Sequence, residues 1–171
     1  MRKNLLFLAA SLLLATTSCA SKSNHNTPAA EQEQTASAAT VDEGKDVKII
    51  RHNAEQTGHE VFETIKKKYA GKVVLFDFWA TWCPPCRAAM KDIDEIKPDL
   101  QKKGAVFVYI TGETSPEGEW NSFIKSVSGE HFRLTDKQWN ELGGELNMSG
   151  IPAYMLLNKD GSVAFSNVSE G

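Results

Sequence analysis

The chain has no apolar run long enough to cross a membrane, no second close pair of cysteines and no surplus of positive charge. Its longest apolar stretch, Leu5 to Ala15, falls short of the roughly 20 residues that a spanning helix needs. A structural zinc site built on Cys83 and Cys86 would need two more Cys or His ligands, and His52, His59 and His131 show no ligand spacing. The 22 acids outnumber the 19 Lys and Arg, for a formal charge of −3. Removing a leader that holds Arg2 and Lys3 but no acid makes the balance more negative still, which speaks against a nucleic-acid surface.

What is there suits one globular domain with extensions: 171 residues, 41% hydrophobic and 24% charged. The informative stretch is Val73 to Arg87. An apolar run of β-branched and aromatic residues, V-V-L-F-D-F-W, reads as a buried central strand. It breaks into Trp82-Cys83-Pro84-Pro85-Cys86-Arg87, a cysteine pair at a helix start. A helix N-terminus offers unpaired N–H groups and partial positive charge, so a thiolate there is favoured. Cys83 at the cap is the candidate nucleophile, open to an incoming disulfide, and Cys86, one turn further in and less exposed, is the resolving partner. Pro84 and Pro85 lack N–H donors, which costs little in a first helical turn, and they restrict the backbone between the sulfurs.

The decapeptide Phe78-Trp79-Ala80-Thr81-Trp82-Cys83-Pro84-Pro85-Cys86-Arg87 closely resembles the active site of the thioredoxin-like thiol:disulfide oxidoreductases, in particular the TlpA/ResA-type branch exported across the membrane. The resemblance runs from about Lys48 to near the end of the chain. It implies an α/β, thioredoxin-like fold, with a central mixed β-sheet flanked by helices, over residues 46–171. It also implies dithiol–disulfide exchange with no cofactor and no metal.

Asp77 is the one charged residue inside the apolar strand, and burying an unpaired carboxylate is costly. Strand alternation points it away from Phe76 and Phe78. It resembles the buried acid of thioredoxins, set beneath the cysteine pair and able to accept the proton of Cys86. Ser149-Gly150-Ile151-Pro152-Ala153 resembles the loop that carries a cis proline opposite the redox pair, where the Ile151 backbone pairs with an extended substrate. With Trp82 and Pro84, Ile151 and Pro152 are the expected substrate contacts. Trp79 is expected either to shield the site with Trp82 or to be core.

Residues 1–18 read as a secretory signal: a charged start, a short apolar stretch and small residues before Cys19. Cys19 resembles the lipidated cysteine of a bacterial lipoprotein, although Thr16 stands where Leu is usual. Cleavage after Ala20 by the ordinary signal peptidase is the rival reading. Residues 19–45, rich in Ser, Thr, Ala, Asn, Gln and Glu, read as a disordered tether. The protein is thus expected on the periplasmic side, lipid-anchored to a bacterial membrane and monomeric. Its expected partners are exported proteins with disulfides and an upstream membrane thiol reductant.

Along the domain, Val47 to Ile50 reads as a strand and Glu60 to Tyr69 as a helix. After Cys86, the stripe Met90, Ile93, Ile96 and Leu100 continues a helix that Pro98 should kink or restart. Ala105 to Ile110 is a second buried strand, and Ser115-Pro116 opens a helix with Trp120, Phe123, Ile124 and Val127 in its core face. His131 to Leu134 reads as a short extended insert, and Thr135-x-x-Gln138 as a capping box. Asn158 to Gly161 joins Tyr154–Leu157 to Val163–Phe165 as a hairpin. The family's final helix is missing from Ser166 to Gly171, so a truncated sequence or an apolar patch is expected there.

The resemblance favours a reductase of exported protein disulfides. Ala89 and Lys91 stand where related reductases often carry Glu and Pro, so cytochrome c maturation is one option among several. A disulfide oxidase or isomerase would use the same atoms, and a metal carrier on Cys83 and Cys86 is the non-enzymatic alternative. A thiol peroxidase would need a lone activated cysteine, against which the close pair speaks.

Overall fold

The computed structural model describes residues 39–40 and 46–170. The signal sequence, Cys19 and all of the tether but Ala39–Thr40 lie outside the described residues. Those two residues are β1, a strand antiparallel to β2 (Val47–Ile49), where the sequence reading had an unstructured tether.

The other elements are α1 (Gly58–Lys68), β3 (Val74–Phe78), α2 (Pro84–Lys102), β4 (Val106–Gly112), α3 (Glu117–Ile124), β5 (Gly129–Leu134), α4 (Asp136–Glu145), β6 (Ala153–Leu157) and β7 (Val163–Ser166). The sheet order is β1-β2-β5-β4-β3-β6-β7. Strands β2, β5, β4 and β3 run parallel, β6 is antiparallel to β3 and β7 antiparallel to β6, so the sheet is mixed as expected. Segment 131–134, read as an insert, is instead part of β5, an inner strand between β2 and β4. Its polar residues hid this, because Glu130 and Arg133 are only half-buried while His131 lies fully inside.

Each face has its own core. Val74, Phe76 and Phe78 of β3 pack with Val61, Phe62 and Ile65 of α1 and Leu142 of α4. Trp79 packs on the other side with Cys83, Cys86 and Met90 of the α2 region and with Trp120 and Ile124 of α3.

Capping explains where the helices start. Thr57 and Glu60 form a reciprocal capping box on α1, as Thr135 and Gln138 do on α4. Gln138 does more than cap: its fully buried amide donates to the Asn53 and Gln56 carbonyls at 2.9 and 3.0 Å, fastening the loop before α1.

Helix α2 runs unbroken through Pro98, so the chain does not restart there. A proline removes one backbone donor, and here buried Met90 and Lys97 before it and half-buried Leu100 after it keep the helix seated. The register of the helix also differs from the reading: Ile96 is 58% exposed, and Lys97, at 1%, takes the buried position.

Among the described residues no helix follows β7, and none is long and apolar enough to cross a membrane. Val163 and Phe165 of β7 are exposed.

Candidate redox site

The site begins where β3 ends. The ladder continues one residue past Phe78, since the Trp79 N–H donates to the Ile110 carbonyl at 3.1 Å. The chain then turns through Ala80–Cys83, with the Cys83 N–H donating to the Ala80 carbonyl at 3.1 Å. Cys83 is the N-cap of α2 and its sulfur accepts the Cys86 N–H at 3.3 Å. Pro84 and Pro85 fill the first two helical positions, where no N–H is needed.

Cys83 and Cys86 form a disulfide, their Cα atoms 5.3 Å apart. Cys83 retains 3% of its surface and Cys86 none, so the nucleophile candidate is far less open than expected. Its sulfur is tied twice, to Cys86 covalently and to the Cys86 N–H as a cap, which holds it down against Trp79 and Ala80. Of the two residues, Cys83 is the less completely buried. Pro84 is exposed and Trp82 stands out at 58%. Trp79 is core, fully buried and 5.1 Å from the Phe123 ring, so it offers no substrate surface.

The turn is tied from across the sheet by residues the sequence reading missed. The Thr81 N–H donates to the Ser115 hydroxyl at 3.0 Å, and that hydroxyl lies 2.7 Å from the Thr111 hydroxyl, both serine and threonine fully buried. Arg133 Nε donates to the Ser115 carbonyl at 2.8 Å. Ser115 was legible as a helix opener, but nothing in its sequence neighbourhood reveals the bond to Thr81.

The Ile151–Pro152 bond is cis. Ala153, the first residue of β6, is the register partner of Phe78, the last of β3, so Pro152 lies at the same end of the sheet as the cysteine turn. Ile151 packs against the cluster that holds both cysteines.

Asp77 is buried on the face of Trp79, opposite Phe76 and Phe78, as alternation requires. Its register partners are Tyr109 on β4 and Tyr154 on β6, and Tyr109 in turn pairs with His131 on β5. Side chains in one register row share a face, so four polar residues cross the sheet in line. Among the described residues, neither Asp77 oxygen and neither tyrosine hydroxyl has a hydrogen-bond partner. Burial pushes the Asp77 carboxyl up from 3.8 to about 8, against the opposing pull of Lys97. Burial also pushes both tyrosines well above their usual range, so they stay neutral. His131 is held down at about 4 by burial, opposed by its Nε2–H bond to the Val127 carbonyl at 2.8 Å, so it too is neutral near pH 7.

Among the described residues no three His, Cys, Asp or Glu side chains gather closely enough to hold a metal ion. What the arrangement offers is one disulfide on the sheet face that also buries an acid, which suits dithiol–disulfide exchange.

A parallel-centred sheet with a cysteine pair at a helix tip beside a cis proline defines a class, and comparison with known proteins agrees. The thioredoxin-like family model matches residues 71–163, more than half of the sequence, and the chain belongs to that family. The chain is similar to the thiol-disulfide oxidoreductase ResA of Bacillus cereus, 27% identical over 104 residues, which cover 61% of this chain and 59% of the relative. It is also similar to the thiol:disulfide interchange protein HelX of Rhodobacter capsulatus, 25% identical over 120 residues, covering 70% and 64%. The match thus spans about three fifths of the length of these relatives. The thioredoxin domain of a thiol-disulfide oxidoreductase from Bacteroides vulgatus shares the fold, with a TM-score of 0.53 at 20% identity over 58% of this chain and 72% of that one.

Proposed function

We propose that this protein is a thiol:disulfide oxidoreductase that reduces disulfides in exported proteins. The observation that carries this reading is the Cys83–Cys86 disulfide at the N-terminus of α2, on the sheet face that also buries Asp77. The helix terminus favours a thiolate at Cys83 in the reduced protein. That thiolate attacks one sulfur of the substrate disulfide; the other sulfur leaves as a thiolate and takes a proton from solvent. Cys86 then gives its proton to the Asp77 carboxylate and attacks the Cys83 sulfur. The Cys83–Cys86 bond forms, the mixed disulfide breaks, and the second substrate sulfur departs. Two electrons have passed from the cysteine pair to the substrate.

Trp82, Pro84, Ile151 and Pro152 are the proposed substrate contacts. Trp82 supplies an exposed flat apolar surface and Ile151 a backbone edge for an extended peptide. In this reading the protein works as a monomer, lipid-anchored through Cys19 on the periplasmic side, and a membrane thiol reductant returns the pair to the dithiol.

Reduction of insulin disulfides tests the activity, with Cys83→Ser expected to abolish it. Cys86→Ser should trap partners as mixed disulfides on Cys83, and their identity would say whether cytochrome c precursors are among them. Failure of the wild-type protein to reduce insulin or glutathione disulfide would end this reading. A strongly oxidising potential against glutathione would reverse its direction to that of a disulfide-forming enzyme.

A further inference from the structure

Lys97 is the residue the redox chemistry above leaves unexplained. A lysine fully inside a protein gives up most of its hydration and needs strong compensation. Here its ammonium lies 2.6 Å from Asp94 Oδ1 and donates to the Ser128 carbonyl at 3.2 Å. It also sits over two aromatic rings, 5.0 Å from the centre of Tyr109 and 5.5 Å from that of Phe107. Tyr109 is the direct cross-strand neighbour of Asp77. The cation is therefore placed one strand away from the buried acid, on the helix that begins with the cysteines and on the same face of the sheet.

We propose that Lys97 is a positioning residue for the proton step: its ammonium, seated on the Tyr109 ring and anchored by Asp94 and Ser128, supports the ionised Asp77 carboxylate that takes the Cys86 proton. This rests on the function proposed above. An acid with no hydrogen-bond partner among the described residues, pushed up by burial, is mostly protonated at neutral pH and is then a poor proton acceptor. A fixed cation in a low-dielectric layer recovers part of its ionised form.

The other groups around Asp77 do not substitute. Tyr109 on β4 and Tyr154 on β6 are neutral, as is His131 on β5 beyond Tyr109, and in the oxidised protein Cys83 and Cys86 carry no charge. Asp94 on α2 is an anion whose pairing with Lys97 offsets part of the field, and Asp92 acts on Tyr154. Lys97 is the cation that opposes the burial of Asp77.

The test separates charge from anchoring. Lys97→Gln keeps a donor for the Ser128 carbonyl but removes the charge, and Lys97→Met removes both. Carboxyl NMR of the oxidised protein, with Asp77→Asn identifying the resonance, reads the Asp77 midpoint without any turnover. We expect both variants to move that midpoint upward by about one pH unit, a tenfold change in ionised fraction on the acid side of the midpoint. In the reduced protein, resolution of a mixed disulfide at pH 7 should slow by roughly three- to tenfold and recover above pH 9, and in an Asp77→Asn background neither variant should slow it further. An unmoved Asp77 midpoint in Lys97→Gln overturns the proposal, as does a rate loss that persists beside Asp77→Asn. If the wild type reduces no disulfide, the proposed function falls, and the titration still decides what Lys97 does to Asp77.

Discussion

Asp77 on β3 and Tyr154 on β6 are direct register partners, and the hydrogen-bonding groups of both side chains are buried without a partner among the described residues. The fold thus accepts at its centre an acid that Lys97 compensates only in part. Because the folded-state midpoint lies above the unfolded one, this group's contribution to stability is fully present below pH 3.8 and declines as pH rises toward about 8. Asp77→Asn should therefore match the wild type near pH 4 and exceed it increasingly up to pH 8, by at most about 6 kcal/mol, at 1.36 kcal/mol per unit. Urea denaturation across that range measures it, and a constant difference would contradict it.

His131 titrates with the opposite consequence. Its folded midpoint, about 4, lies below the ordinary 6.5, so its contribution is complete above pH 6.5 and is lost as pH falls toward 4. The loss should approach about 3 kcal/mol. His131→Gln keeps a donor for the Val127 carbonyl and does not charge, so its stability curve should be flatter over that window.

Ser115 links the redox turn to the β4–α3 connection. Ser115→Ala leaves the buried Thr81 N–H without its acceptor and should cost about 1–3 kcal/mol. Amide exchange should speed up at Thr81, Trp82 and Cys83 more than in β6, which is the signature that separates a loosened turn from general destabilisation.

Gly58 is where α1 meets α4. A Cβ there would run into the Gln138 carbonyl and lie 2.8 Å from the Leu142 nitrogen, and backbone atoms cannot yield as side chains do. Gly58→Ala should lower stability by at least about 2 kcal/mol, despite alanine's better helix propensity. Thermal denaturation beside a control such as Gly144→Ala, which has open space, gives the comparison.

The features readable from the chain were those whose partners lie within a few residues. Cys83 and Cys86, Thr135 and Gln138, and the hairpin turn at Asn158 to Gly161 are local, and each was legible as a pattern. Strand β3 was legible because burial on both faces makes its sequence almost uninterruptedly apolar. Ile96 and Lys97 were not, because hydrophobicity ranks isoleucine first, while the rotation of α2 on the sheet is set by Met90 and its distant neighbours. A lysine with Asp94 three residues back and two rings beneath it can occupy the inner position. The row Tyr154, Asp77, Tyr109 and His131 exists only through the register of four strands, which no spacing along the chain encodes.

The covalent link between Cys83 and Cys86 encloses a segment of a single helical turn. It staples no two remote parts of the molecule, so the unfolded chain loses little freedom to it and the architecture does not depend on it. In the proposed cycle the scaffold would stay standing in both oxidation states, and a partner would tell them apart at the surface around Trp82.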